Sequence, residues 1–364
     1  MTHGWRVALL YNLRDNMPLA MSAPIDALAE YDSVDTVQAL ERALLDGGHQ
    51  VISLEADEKL VDTIRQAGAD ICFNLAEGRR GESRESQVPA LLEMLDIPYT
   101  GSKILAQALS LDKAAAKRVW RDCGLPTAPF QVFVRGDEPL EQGLEFPLFV
   151  KPVSEGSGMG INGQSVVRDD ATLREQVRWV VRSYGQPALV ETFLPGRELT
   201  VGLLGNRIMP WEQPPNLYDE RGYHVFPVLE IDVSPLQEAN GSYGSYAKTE
   251  RPLDLAYLCP APLDDMLTDE VQRLAVKAFE AVGALDVARV DFRLGCDGWP
   301  YLMEINTLPG LNPSYSDLVI AARAEGMTYT NLVNEILSLA VDRSGLVWDR
   351  GFTSRVPLRS LQRR

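Results

Sequence analysis

Residues 288–310 read ARVDFRLGCDGWPYLMEINTLPG, two apolar runs with charged side chains among them. These runs flank the dipeptide Asp297–Gly298, and Asp-Gly between such runs is the strongest short signal for a β-hairpin. With that dipeptide at the turn, Asp291 lies opposite Glu304. Two carboxylates that face each other across a hairpin repel unless a cation lies between them. The stretch therefore predicts a hairpin with an acidic pair on one face.

The rest of that face is also polar, because strand periodicity places Arg289 and Asn306 beside the carboxylates. The predicted opposite face consists of apolar residues, namely Val290, Phe292, Met303 and Ile305. Oxygen ligands at this density suit Mg²⁺, which takes carboxylates together with phosphate oxygens. Asp291, Glu304 and Asn306 are therefore candidate metal ligands. An exposed face with solvated charges is the alternative that the hairpin by itself leaves open.

The composition of the 364 residues narrows the classes of partner. A formal net charge of −16 argues against a nucleic acid, whose affinity for proteins comes mostly from Lys and Arg. No apolar run approaches the ~20 residues of a membrane span, and the start MTHGWRVALLYN lacks the pattern of a signal peptide. We therefore expect a cytoplasmic protein that binds neither nucleic acid nor membranes. The basic segment 346–364 is expected to be a disordered tail.

Strand and helix signals alternate at the start of the chain. The apolar runs WRVALLYN, QVISLEA and DICFNLAEG are separated by segments with helical spacing, such as SVDTVQALERALL. This alternation predicts an α/β fold whose first unit, over residues 1–102, is a doubly wound parallel sheet. Ligands of such sheets bind beyond the carboxyl ends of the strands, here at YNLRDN and NLAEGRRGE. Two further units are expected over residues 103–206 and 207–345.

Two segments of the second unit suit a nucleotide. In FPLFVKPVSEGSGMGINGQSVV, a Gly-rich loop between strands can fold over phosphates, with Lys151 at its base. In ALVETFLPGRELTV, Glu191, Phe193 and Leu194 can present an acceptor, an apolar wall and backbone groups to adenine, and Glu198 can bind ribose hydroxyls. Taken alone, the first segment favours an ordinary hairpin, and exposed carboxylates at a strand end explain the second as well.

The order of these features resembles the ATP-grasp family, and more closely the D-alanine–D-alanine ligases. The matching segments are EGRRGE, IPYTGS, LDKAAAK, GLPT, VKPVSEGSG, VETFLPGRELTV, YAK, CPAPL, ARVDF and EINTLPG. They cover residues 70–340 densely, and residues 5–54 match more loosely. The resemblance implies an ATP-grasp fold of three α/β units: the doubly wound unit, a central lid unit with the phosphate loop, and a C-terminal metal-binding α+β unit.

By this resemblance the chain binds ATP and two Mg²⁺ ions, with Mn²⁺ as an alternative ion. The implied phosphate-binding residues are Lys113, Lys151, Lys248 and, in the closing loop, Glu155, Gly156, Ser157 and Gly158. The implied adenine and ribose contacts are Glu191, Leu194 and Glu198. The implied metal ligands are Asp291, Glu304 and Asn306.

The reaction implied by the resemblance is amide formation through an acyl phosphate. A carboxylate attacks the γ-phosphate of ATP, and an amine then displaces phosphate, so both steps build negative charge. Arg289 and the backbone N–H of Gly310 are suited to stabilise that charge. A non-catalytic ATP-binding sensor or partner protein, and a kinase that releases the acyl phosphate, are the alternatives. The small-molecule substrates would be amino acids, and a homodimer is expected.

The chain departs from the family pattern where the amino acids bind. The family has a glycine-rich first loop with a glutamate for the ammonium group of the first D-alanine, and here Glu30 is its counterpart, with Asp32 as a rival. Ser157 of the same network is present, but Lys248 is followed by Thr249 where the family has tyrosine. The identity of the two amino acids therefore stays open. The candidates for contact with the acceptor carboxylate, in GLNPSYS, are Ser314, Tyr315 and Ser316.

Overall fold

The computed structural model describes residues 4–18, 23–208, 216–232 and 256–346, and its first unit is a parallel sheet with strand order β2–β1–β3. Its elements are β1 (Arg6–Tyr11), α1 (Val34–Asp46), β2 (Gln50–Glu55), α2 (Leu60–Ala67), β3 (Ile71–Asn74) and α3 (Gln87–Met94). Successive residues of β1 point to opposite faces, so Val7 packs against α1 while Ala8 packs against α2 and α3. The predicted doubly wound arrangement is confirmed.

The second unit contains an antiparallel sheet of order β4–β7–β5–β6. Its elements are α4 (Ile104–Leu111), α5 (Lys113–Asp122), β4 (Phe130–Phe133), β5 (Leu148–Pro152), β6 (Val166–Val167), α6 (Asp170–Tyr184) and β7 (Ala188–Thr192). Helix α6 begins where the side chain of Asp169 accepts a hydrogen bond from the backbone N–H of Thr172 at 2.8 Å, and it ends at Gly185, whose φ is +64°. Its apolar stripe packs on the sheet and closes the core of this unit.

The third unit has a larger antiparallel sheet, ordered β11–β10–β8–β12–β13, with β9 paired to β8. Its strands are β8 (Glu198–Gly205), β9 (Tyr223–Val225), β10 (Leu229–Asp232), β11 (Ala256–Leu258), β12 (Asp286–Leu294) and β13 (Pro300–Asn306). The predicted boundary at residue 206 is wrong for β8, because this strand pairs along its whole length with β12. In the folded chain the third unit therefore includes β8 and begins near Glu198.

Three helices pack around the large sheet: α7 (Asp265–Val282), α8 (Asp317–Ala324) and α9 (Tyr329–Arg343). The inner face of α7 is buried against the sheet, whereas α9 packs against α1 of the first unit. One apolar core therefore spans the first and third units. Within the described ranges, no helix combines the length and the hydropathy that a membrane crossing requires.

The hairpin β12–β13 has the predicted pairs but contains a bulge. Asp291 pairs with Glu304 and Arg289 with Asn306, as predicted; beyond Asp291 the register shifts, and Phe292 pairs with Leu302. A bulge inserts one residue into a strand and reverses the alternation beyond it. The assignment of Met303 to the apolar face is therefore wrong. Leu302 is fully buried in its place, and Met303 faces a cavity.

Candidate active site

A cavity of about 670 Å³, its open mouth included, lies between the sheet of the second unit and the large sheet. The predicted residues on its walls are Lys113, Lys151, Glu155, Gly158, Glu198, Asp291 and Glu304. The cavity is also lined by residues that were not predicted to bind a ligand, namely Phe149, Pro152, Met159, Ile161, Phe292, Arg293 and Met303. Most of these are apolar side chains on strands or in the Gly-rich loop. The cavity thus combines cationic groups with an apolar wall.

The two predicted phosphate-binding lysines are held from different elements. Lys113 is the first residue of α5, and its ammonium group lies 3.1 Å from Oε2 of Glu304 and donates to the carbonyl of Glu155. Lys151 belongs to β5 and lies with its Nζ 2.7 Å from Oε1 of Glu191. Both side chains are almost fully buried, so each amine is fixed at the cavity wall. Lys248, the third predicted lysine, lies outside the described residues.

Glu191 lies behind Lys151, away from the cavity wall. Its carboxylate is fully buried between Lys151 and Lys117, whose Nζ lies 2.8 Å from Oε2. Burial by itself raises the pKa of this carboxyl, but the two ammonium groups outweigh burial and lower the pKa to about 2. The predicted contact of this side chain with adenine is therefore not available here. Lys117 was missed because a lysine at helical spacing in KAAAK is typical of a solvated surface.

The other predicted nucleotide contacts fall in different places. Glu198 lines the cavity at the start of β8, 3.6 Å from the guanidinium of Arg293. Phe193 and Leu194 do not line it, although the ring of Phe193 stacks on that of Phe149 at a centroid distance of 6.4 Å. The apolar wall is supplied instead by the side chains Phe149, Met159, Ile161 and Met303.

The predicted metal ligands meet at the hairpin. Asp291 and Glu304 line the first cavity, and the amide of Asn306 donates to Oδ2 of Asp291 at 3.1 Å. Thr200 donates to Oδ1 of Asp291 at 2.6 Å. The set offers two carboxylates and one amide oxygen, which fits Mg²⁺ completed by phosphate oxygens. In the described part of the chain there is no cluster of three or more His, Cys, Asp or Glu side chains that could hold a metal.

Arg289 lies on the same hairpin face and is held by acids. Its Nε and Nη2 donate to the two oxygens of Asp291, both at 2.8 Å, and its Nη1 lies 3.3 Å from Oδ2 of Asp317. Although burial lowers the pKa of this guanidinium, the neighbouring carboxylates raise it well above its usual value. Arg289 therefore carries a fixed positive charge at the hairpin.

A second cavity, of about 930 Å³ with its mouth, adjoins the hairpin from the other side. The predicted residues on its walls are Glu30, Gly156, Ser157, Arg289, Asn306, Gly310, Tyr315 and Ser316. Ser314 is exposed and is not among the lining residues; its backbone N–H donates to Asn312. Hydroxyl Oγ of Ser316 accepts from the backbone N–H of Asn312 at 2.8 Å. The hairpin thus forms the boundary between two adjacent cavities.

Glu30 is not open to a ligand in the way that was predicted. Its two carboxylate oxygens accept from Nε and Nη2 of Arg84 at 2.7 and 2.5 Å. Arg84 also donates to Glu155 at 3.0 Å and to the carbonyl of Ser154 at 2.9 Å. The guanidinium therefore joins the first unit to the phosphate loop. Arg84 was missed, although its position beyond β3, after NLAEGRRGE, was a signal.

Three further acids line the second cavity: Asp32, which is the predicted rival of Glu30, and Glu77 and Glu85, which were not predicted. None of them makes a side-chain hydrogen bond or an ion pair with another described residue. Burial raises the pKa of Asp32 to about 8, opposed by the charge of Arg14. Burial also raises the pKa of Glu77, and the negative charge of Glu85 raises it further. Burial raises the pKa of Glu85 as well, although the positive charge of Arg84 opposes this shift. A positively charged ligand group would stabilise the ionised form of each of these three carboxyls.

The phosphate loop is also tied to the first unit through Asp26. Its Oδ2 accepts from the backbone N–H of Gly160 at 2.9 Å, and its Oδ1 accepts from the hydroxyl of Tyr184 at 2.8 Å. Ser157, within the loop, has a φ of +51°, in the left-handed region. These bonds hold the loop over the boundary of the two cavities.

The comparisons with known proteins agree with this geometry. Residues 119–338 match the family model described as the D-ala D-ala ligase C-terminus. The chain is similar to an uncharacterized protein, y4sG, of Sinorhizobium fredii, with 37% identity over 82% of this chain and 85% of the relative. It is 35% identical to a D-alanine–D-alanine ligase of Syntrophotalea carbinolica, over 84% of this chain and 90% of the relative.

A solved structure shares the fold. The D-alanine–D-alanine ligase from Bacillus anthracis, crystallised as a complex with ATP, superimposes with a TM-score of 0.71 over 93% of this chain and 98% of that chain. Its sequence identity is 21%, so this likeness speaks for the fold alone. The ATP-grasp fold predicted from the sequence is confirmed.

Proposed function

This chain belongs to the D-alanine–D-alanine ligase family of ATP-dependent ligases, and on that premise we propose that it joins two amino acids through an acyl phosphate. D-alanine is the first candidate for both amino acids. The observation that carries the proposal is the position of the acidic hairpin between two cavities. ATP in one cavity and amino acids in the other would meet at the hairpin. Such juxtaposition is a large part of catalysis in a two-substrate reaction.

We assign the 670 Å³ cavity to ATP. Lys113 and Lys151 lie where two fixed ammonium groups can neutralise phosphates, and the Gly-rich loop covers that end. The apolar wall that includes Phe149 and Met303 suits the faces of adenine, and Glu198 suits the ribose hydroxyls. Glu191 acts in this assignment through Lys151, whose amine it holds.

We assign Asp291, Glu304 and Asn306 to Mg²⁺, since the donor set fits that ion. When bound, the ions neutralise phosphate charge and polarise the transferred phosphoryl group. The chain itself supports this site with Thr200, which orients Asp291, and with Lys113, which lies beside Glu304. A support of this kind fixes the carboxylates before the ligand arrives.

The reaction that we propose has two steps. A carboxylate oxygen of the first amino acid attacks the γ-phosphorus of ATP, the bond to the bridging oxygen breaks, and ADP leaves. The amine of the second amino acid then attacks the acyl carbon and loses a proton, and inorganic phosphate leaves as the amide bond forms. Arg289 and the backbone N–H of Gly310 border this space and are placed to stabilise the oxyanion.

The ammonium group of the first amino acid is proposed to lie near Glu77 and Glu85. Glu30, the counterpart suggested by the family pattern, is already held by Arg84. Glu77 and Glu85 line the second cavity and have no hydrogen-bonded or ion-paired partner within the described ranges. A buried carboxyl of this kind is stabilised by an incoming cation.

The proposal is tested by measuring ADP, phosphate and dipeptide with ATP, Mg²⁺ and pairs of D- and L-amino acids. We expect phosphate release only when a donor and an acceptor are present, with one dipeptide for each phosphate. Glu304→Gln should lower kcat about a hundredfold or more. Glu175→Gln, on the exposed face of α6, is the matched control and should leave kcat unchanged. ATP-dependent stabilisation without turnover of any pair would favour the sensor alternative instead.

The cytoplasmic location and the homodimer expected from the sequence stay predictions. Sedimentation of the purified protein would measure its oligomeric state. Cell fractionation would locate the chain.

A further inference from the structure

Arg14 is a cation on the wall of the second cavity that has no part in the reaction proposed above. It follows β1 in a short turn, and its backbone N–H donates to the carbonyl of Asp32 at 3.0 Å. The segment that carries it is therefore fixed at the carboxyl end of the parallel sheet. Ligands of doubly wound sheets bind at this edge.

The side chain of Arg14 has open hydrogen-bond donors. Its Nε is shielded from solvent and finds no acceptor in the described parts of the chain. No ion pair within 4.0 Å involves its guanidinium there either. A buried N–H group without an acceptor is destabilising and is rare in folded proteins. A ligand that brings an acceptor to this position relieves that penalty.

The charges of the cavity assign a role to these donors. Among the described lining residues only Arg14 and Arg289 are cations, and Arg289 is already engaged by Asp291 and Asp317. The proposed reaction involves two carboxylates. One is phosphorylated at the hairpin beside Arg289, and the other, on the acceptor, is not consumed and needs a counter-charge. Guanidinium groups bind carboxylates through two parallel hydrogen bonds.

The neighbours of Arg14 agree with this role. Tyr315 and Ser316 line the same cavity, and the positive charge of Arg14 acts on the phenol of Tyr315. Asp32 is also close, but burial raises its pKa to about 8, so at neutral pH it is mostly protonated. The charge of Arg14 is therefore left for a ligand.

We propose that Arg14 binds the carboxylate of the acceptor amino acid and so selects acceptors that carry one. This inference rests on the proposed ligase function, and it names a specificity determinant that lies on the first unit. The donor carboxylate and the chemistry at the hairpin are not affected by it.

The test compares D-alanine with D-alaninamide, which lacks a carboxylate and is therefore an acceptor only. Wild type and Arg14→Met receive both compounds with ATP and Mg²⁺, and the two products are quantified by mass spectrometry. We expect the preference for the acid over the amide to fall about tenfold or more in Arg14→Met, mainly through KM. Arg14→Lys should keep part of it, and Arg42→Met, an exposed arginine of α1, should keep all of it. An unchanged preference in Arg14→Met overturns the proposal, since a merely structural role would slow both products alike.

A second measurement separates this inference from the proposed function. If wild type forms no dipeptide from D-alanine, the amino-acid pair from the screen replaces it, with the amide of that acceptor. If no pair reacts, the melting temperature is measured with ATP and each free amino acid or its amide. Stabilisation by the acid but not by the amide, lost in Arg14→Met, supports the assignment of Arg14. Equal stabilisation of wild type and variant, or none by any acid, overturns it.

Discussion

Glu191 lies between the ammonium groups of Lys117 and Lys151, at 2.8 and 2.7 Å, and no part of it is exposed. Breaking a buried ion pair leaves an uncompensated charge in a low dielectric, which is why such changes are strongly destabilising. Here the loss of one carboxylate would leave two buried lysines facing each other. The side chain is therefore a structural support of the nucleotide cavity.

We predict that Glu191→Gln lowers the free energy of unfolding by about 3–5 kcal/mol, measured by urea denaturation. The matched control is Glu58→Gln, whose carboxylate and partner Arg79 are both exposed, and we expect no resolvable change in stability there. A loss in Glu191→Gln no greater than in the control would contradict the assignment.

The same residue predicts a dependence of stability on pH. The two lysines hold the folded-state pKa of Glu191 at about 2, below its usual value of about 4.5. A carboxyl with a depressed pKa stabilises the fold above its unfolded pKa, and this contribution is lost as the pH falls through the folded value. The difference in stability between wild type and Glu191→Gln should therefore shrink as the pH falls from about 4.5 towards 2.

At the scale of elements, the bulge in β13 decides which residues face the cavity that we assign to ATP. Leu302 is fully buried in the core between the sheet and α7, and its carbonyl accepts from Thr127 at 2.9 Å. Met303, the next residue, lines the cavity. A strand without the bulge would place these two side chains the other way round.

We predict opposite effects for two neighbouring substitutions. Leu302→Ala should lower the free energy of unfolding by about 2–5 kcal/mol, because it leaves a cavity in the core. Met303→Ala should change stability little and raise the KM for ATP severalfold, because it removes apolar surface from the proposed adenine wall. Denaturation and ATP-dependent kinetics on both variants check this. A large loss of stability in Met303→Ala and a raised KM for ATP in Leu302→Ala would instead indicate a strand without the bulge.

At the scale of the whole molecule, the first unit holds the phosphate loop of the second. Asp26 accepts from Gly160 and Tyr184, and Arg84 joins Glu30 to Glu155. Asp26 and its partner Gly160 are more than a hundred residues apart in the chain. In the proposed function, these contacts would couple closure of the loop over ATP to the shape of the second cavity.

We predict that Asp26→Ala loosens the loop without unfolding the protein. Amide hydrogen exchange at Gly160 should become faster, and the KM for ATP should rise several-fold, because an ordered lid completes the site. Tyr184→Phe removes one of the two bonds and should have a smaller effect. The control Asp62→Ala, on the exposed side of α2, should behave as wild type. Unchanged hydrogen exchange at Gly160 in Asp26→Ala would show that the contacts of Asp26 do not order the loop.

The helices, the parallel sheet and the hairpin pairs Asp291–Glu304 and Arg289–Asn306 followed from the sequence because they depend on neighbours in the chain. Short-range features such as an Asp-Gly turn, a helix cap or an apolar period carry their own signal. The order of the motifs supplied the family, and with it the predicted nucleotide contacts, several of which line the first cavity. Strands β9, β10 and β11 were missed, since each is only three or four residues long.

The pairing of charged groups could not be predicted from the sequence and is known only from the folded chain. From the sequence, Glu30 and Glu191 are open carboxylates, and Arg14 and Arg84 are ordinary arginines. Folding places Arg84 on Glu30, buries Glu191 between two lysines, and leaves Arg14 with open donors. The physical reason is that ion pairing and burial depend on distances between segments that lie far apart in the chain. Local periodicity carries no information about those distances. The fold and the polar face of the hairpin therefore follow from local sequence patterns, whereas the charges of the second cavity depend on how the three units pack.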